Sequence, residues 1–158
     1  MTDLRGLMDE FARETDGDAI EPNADGIYEI AVDGWALSIG EFPEDGSFVL
    51  WAEVGETPPE GREAFYRMLL EAMYAGRETG LSRFSIDHAT GRVFLHREDP
   101  DAPEDLAGLK ARLNAFADQL ADWRGRISDF RAPSDDGRTP PEGGDGTFGF
   151  DASNFIRI

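Results

Sequence analysis

Between Leu106 and Phe130 the residues Leu106, Leu109, Leu113, Phe116, Leu120, Trp123, Ile127 and Phe130 recur alternately three and four positions apart. On a helix of about 3.6 residues per turn, that spacing draws one apolar seam sustained over more than three heptads. So many large side chains on one face must be buried. Either the chain's own sheet covers them or a helix of a partner does, and a core helix lying on its own sheet is the simpler reading. Asp101-Ala102-Pro103-Glu104 carries a helix-start pattern, so the seam predicts a helix opening there and ending near Phe130.

The rest of the chain must then supply the cover. Thr2 can cap a first helix to about Glu14, on which Leu4, Leu7, Met8 and Phe11 form one stripe. Residues 15–26 read as a loop. Ile27–Val32 and Trp35–Phe42 are rich in strand formers and joined by Asp33-Gly34, a two-residue linker of the type I′ hairpin kind. After a turn at Pro43-Glu44-Asp45-Gly46, residues 47–54 alternate Phe48, Leu50, Ala52 and Val54 with Val49, Trp51 and Glu53, which predicts a third strand and a three-stranded antiparallel meander. Thr57-Pro58-Pro59-Glu60 has capping-box form and predicts a helix to about Gly76. That helix is apolar on two sides: Phe65, Met68, Leu69, Ala72 and Met73 make one face, Tyr66, Leu70 and Tyr74 another. A helix apolar on two sides is buried on two sides, and the second face is read as a subunit contact. Residues 83–87 and 92–97, around the turn His88-Ala89-Thr90-Gly91, form a second hairpin. The expected fold is α+β: helix, meander, helix, hairpin and long final helix, as a single domain over 1–131 in a two-fold dimer. From 132 to 146 the chain turns to Pro, Gly, Ser and Asp, a linker composition, before an apolar end containing Phe148, Phe150, Phe155 and Ile156.

Charge decides which partners such a domain can take. The 158 residues carry 33 acidic and 15 basic side chains, a formal net charge of −18. Nucleic acids and anionic membrane surfaces are bound through Lys and Arg, so both are excluded as direct partners. The acidity is local: residues 1–101 hold 23 acids and 8 bases, whereas 102–131 hold 5 of each. With no cysteine, disulfides, thiol catalysis and Cys-ligated metals are ruled out. No basic and apolar leader and no membrane-length apolar run is visible, which makes the cytoplasm the expected location.

Catalytic signals are weak. His88 and His96 are the near-neutral titrating groups, and neither adjoins a nucleophile. Asp16-Gly17-Asp18 and Asn23-Ala24-Asp25-Gly26 imitate a calcium loop, but Ile20 stands at a ligand position and the closing Glu is missing. Gly143-Gly144-Asp145-Gly146 lacks the Lys and helix of a phosphate loop. No catalytic residue, metal site or cofactor is expected. What remains is surplus apolar surface rimmed by acids, the mark of a protein-binding surface.

The element order, with Leu7-Met8-Asp9-Glu10-Phe11, Ala52-Glu53-Val54-Gly55, Arg67-Met68-Leu69-Leu70-Glu71-Ala72-Met73, Gly80-Leu81-Ser82-Arg83-Phe84-Ser85-Ile86-Asp87, Thr90-Gly91-Arg92-Val93-Phe94-Leu95, Phe116-Ala117-Asp118 and Trp123, resembles the class I type III secretion chaperones of the Tir-chaperone type over about residues 3–131. The resemblance implies a homodimer, paired through Tyr66, Leu70, Met73, Tyr74, Phe84 and Ile86. It implies that an extended segment of a secreted effector is held, without nucleotide, in grooves of the first helix and meander. The positions concerned are Leu4, Leu7, Met8, Phe11, Ile30, Val32, Leu37 and Ile39. The tail departs from the family's usual end, and its Phe148, Phe150, Phe155 and Ile156 are candidates for docking on an apolar groove of the dimer. A small acidic enzyme or ligand-binding domain on the same fold, or a regulatory adaptor outside secretion, are the competing readings.

Overall fold

A computed structural model describes residues 3–15, 18–42 and 46–133. The first helix, α1 (Leu4–Glu14), is capped by Asp3, whose carboxylate accepts the Gly6 N–H at 2.7 Å; the capping role expected of Thr2 falls one residue later. Asn23 closes the following loop by accepting the N–H groups of Asp25 and Ile27, both at 3.0 Å. Its side chain thus serves the backbone of the turn.

Strands β1 (Tyr28–Val32) and β2 (Trp35–Glu41) pair antiparallel with Val32 opposite Trp35. Asp33 and Gly34 both take positive φ, 51° and 80°, as the expected type I′ turn demands. Strand β3 (Phe48–Glu56) pairs with β2, and the second hairpin, β4 (Ser82–Ile86) with β5 (Arg92–Asp99), joins the same sheet through β5. The meander and the hairpin therefore make one five-stranded antiparallel sheet, ordered β1-β2-β3-β5-β4. A bulge between Glu53 and Gly55 shifts the β3–β5 register.

Two further helix starts differ from the sequence expectation. Helix α2 (Arg62–Met73) begins after Gly61 in a left-handed conformation, without a side-chain cap. Thr57 instead lies just past the end of β3, its N–H donating to the Gly91 carbonyl at 2.8 Å. The cause is local: Thr57 and Pro58 each precede a proline, and a residue before proline is pushed out of the α region. Helix α3 (Leu106–Asp129) is capped by Asp105, which accepts the Gly108 N–H at 2.7 Å, rather than opening at Asp101.

The α3 seam lies on the chain's own sheet. Leu109, Leu113, Phe116, Leu120 and Trp123 are at most 1% exposed and share one core with Leu37, Ile39, Phe48, Leu50, Val93 and Leu95. Edge-to-face aromatic pairs, Phe65 with Phe130 at 5.2 Å and Phe84 with Trp123 at 4.7 Å, tie α2 and β4 to α3. Arg124 stacks 3.9 Å over the Trp35 ring and donates to the Glu53 carbonyl, bracing the bulge.

Candidate functional site

The side chains left outside this core are concentrated. Among the described residues six large apolar side chains are exposed, and five of them, Tyr66, Leu70, Tyr74, Leu81 and Ile86, come from α2, the short 3-10 turn after it (Tyr74–Gly76), β4 and the residue before β4. Leu70, Tyr74 and Leu81 are exposed by 64, 68 and 62%. The helix explains the division: Phe65, Leu69 and Ala72 turn inward and are buried, which leaves Tyr66, Leu70 and Tyr74 on the outer side. Met73 and Phe84 are half-buried, and the Phe84 N–H points at the Met73 sulfur at 3.2 Å. Of the six positions expected in a subunit contact, four are exposed and two sit behind them. Leu81, which lines a small hollow with Met73 and Gly76, has no signal in the sequence pattern; it lies between Gly80 and Ser82, outside any periodic segment.

The expected partner-binding positions fare differently. Leu4, Leu7, Met8, Ile30, Leu37 and Ile39 are between 0 and 7% exposed, so six of the eight are core of this chain and offer no surface. A single stripe on a short amphipathic helix is the amount needed to bury that helix on its own sheet, which is how α1 uses it. Phe11 and Val32 alone keep partial exposure. The tail from residue 134, with Phe148, Phe150, Phe155 and Ile156, lies outside the described residues.

Two further surfaces come from packing rather than from pattern. On the sheet face opposite the core, Ile27, Val49 and Trp51 close over Gly40, where an added Cβ would meet them at 3.1, 3.4 and 3.5 Å. His96 shares that face, paired with Trp51 and Arg83. The second surface is a cleft of about 1310 Å³ between α2 and α3. Ala64 and Met68 of α2 face Ala121 and Trp123 of α3 across it, and Phe130 and Pro133 close one end. Trp123 is itself almost fully buried beneath the cleft, with Arg126 4.6 Å over its ring. Acids dominate the rim, with Arg67 and Arg126 as its bases; Arg126 pairs with Glu78 and Asp122, which raises its pKa.

Chemistry has little foothold. Among the described residues no group of His, Asp and Glu is placed to hold a metal ion. His88 is exposed in the β4–β5 turn. Asp87 at that turn is engaged by the Thr90 hydroxyl at 2.7 Å and the Ala89 N–H, which hold its carboxyl below the usual range. Among the described residues no helix is long and apolar enough to cross a membrane.

A family model described as the Tir chaperone protein (CesT) family matches residues 6–124. No curated protein sequence matches the chain. Several solved structures share the fold. The ExsC–ExsE complex matches with 22% identity and a TM-score of 0.64, over 78% of this chain and 95% of that one. The HopA1–SchA chaperone–effector complex matches with 14% identity and a TM-score of 0.59, over 75% and 91%. The heterodimeric ExoU–SpcU complex of the Pseudomonas aeruginosa type III secretion system matches with 17% identity and a TM-score of 0.55, over 79% and 94%. At these identities the likeness is one of fold.

Proposed function

The chain belongs to the Tir chaperone protein (CesT) family, matched over residues 6–124, and from that premise we propose that it is a cytoplasmic, non-catalytic chaperone that holds an extended segment of a secreted partner protein. The observation that carries this reading is the family match, which spans every element of the fold from α1 into α3. Its solved neighbours support it, since their descriptions name a chaperone–effector complex and a complex from a type III secretion system.

Two surfaces divide the work. The ridge of Tyr66, Leu70, Tyr74, Leu81 and Ile86 is the homodimer contact, because a monomer seldom leaves several large apolar side chains together in water. The partner segment is held by the half-exposed Phe11 and Val32 and by the outer sheet face at Trp51, with its backbone free to add to the edge strand β1. No cofactor takes part. Leu70→Asp should convert a dimer into a monomer in analytical ultracentrifugation while leaving the circular dichroism spectrum intact. Phe11→Asp should leave the dimer whole and weaken co-purification with a secreted protein encoded beside this chain at least tenfold. If both variants lost both properties, the division of surfaces would be wrong. If the wild-type chain captured no such secreted protein on co-expression, the chaperone reading itself would fall.

A further inference from the structure

The α2–α3 cleft has its own candidate occupant. After α3 the chain does not run straight on: the Phe130 ring packs on Phe65, and Ala132 lies so close to Gly61 that a Cβ there would stand 2.6 Å from it. Pro133, the last described residue, is part of the cleft wall. The polypeptide therefore leaves the domain at the mouth of an apolar-floored cleft.

We propose that residues 147–156 of the same chain occupy this cleft, covering Met68, Ala121 and Phe130 until a competing segment displaces them. Residues 134–146 are a Pro-, Gly-, Ser- and Asp-rich tether. With Thr147, the stretch up to Phe148 has a root-mean-square reach of roughly 20 Å for a flexible chain. The α3 side of the cleft, from Ala121 to Phe130, is about 14 Å long at helical rise, so every part of it lies within reach. A tether of that length holds its segment at an effective concentration on the order of millimolar, enough to keep even a weak apolar contact populated.

Charge selects which part enters. The acidic rim, with Glu63, Glu71, Asp122 and Asp129, repels a tether carrying Asp135, Asp136, Glu142 and Asp145. The stretch 147–158 has one acid, Asp151, and one base, Arg157, beside Phe148, Phe150, Phe155 and Ile156. Within 147–156 the only charged side chain is Asp151, so this is the apolar and most weakly charged portion of the tail. The proposal does not depend on the chaperone reading.

The absence of cysteine makes the test clean. In the full chain, Met68→Cys with Phe150→Cys should oxidise to an intramolecular disulfide at least tenfold faster than Ala31→Cys with Phe150→Cys, whose first site is an exposed position on β1. The rate should not change on dilution, and Phe148→Asp with Phe155→Asp should slow it several-fold. Ala121→Cys, exposed on the opposite wall, replaces Met68→Cys should the latter perturb the fold. Equal rates at cleft and control sites would overturn the proposal. So would a disulfide formed only between two chains, which would place a second copy's tail in the cleft.

Discussion

His96 stands on the outer sheet face between Trp51 of β3 and Arg83 of β4. Burial disfavours its imidazolium form, Arg83 adds repulsion, and Glu98 opposes them more weakly, so its pKa lies below the ordinary 6.5. The unfolded chain then binds a proton that the folded chain refuses. The resulting stability is fully present above about pH 6.5 and is lost as pH falls through the folded-state pKa. Urea midpoints taken from about pH 7.5 to about pH 5.5 should fall in the wild type and vary less in His96→Gln; an identical slope in both would assign the dependence to other groups. Gly55 tests packing in the same way. A Cβ added there would meet Ile127 Cγ2 at 2.6 Å, and a β-branched side chain has little freedom to yield. Gly55→Ala should cost about 1–3 kcal/mol. In the double variant with Ile127→Ala, the two losses should sum to less than their separate values.

Helix starts separate a residue type from its role. Thr57 looks like an N-cap and is not one: its hydroxyl is buried without a partner, and its N–H bonds the Gly91 carbonyl just beyond the last β3–β5 pair. Thr57→Val should therefore be neutral or mildly stabilising in thermal unfolding, because it removes a polar atom that burial leaves unsatisfied. Asp105→Ala removes a working cap and should cost about 1 kcal/mol. A loss of that size in Thr57→Val would restore the capping role to Thr57. These elements also show what a sequence can carry. The β1–β2 hairpin is legible because Asp33 and Gly34 hold the whole instruction locally, and both faces of α2 are legible because helical period alone sorts Leu69 from Leu70. The pairing of β3 with β5 is not, since their partnership is chosen across an intervening helix and strand by packing under α3. Nor is the cleft, which depends on how far α2 and α3 stand apart. The stripe on α1 misleads for a related reason: spacing reports that Leu4, Leu7 and Met8 will be covered, but not by what.

At the scale of the whole molecule, the charge and the ridge act against each other. In the homodimer proposed above, two copies meeting at Tyr66, Leu70, Tyr74, Leu81 and Ile86 would remove apolar surface from water, while each brings a net charge of −18. The final helix segment, 102–131, is neutral in sum, and the ridge's own stretch, 62–86, holds three acids and four bases, so the surplus lies in the rest of 1–101 and in the tail. Association therefore works against repulsion that extends roughly 30 Å at about 0.01 M salt and roughly 8 Å at about 0.15 M. Apolar burial is not weakened by such screening. Raising sodium chloride across that range should thus tighten the dimer, lowering its dissociation constant several-fold in sedimentation equilibrium, whereas Leu70→Asp should remain monomeric at every salt concentration. Dissociation of the wild-type dimer by salt would mean that ion pairs carry the contact, and would remove the ridge from its centre.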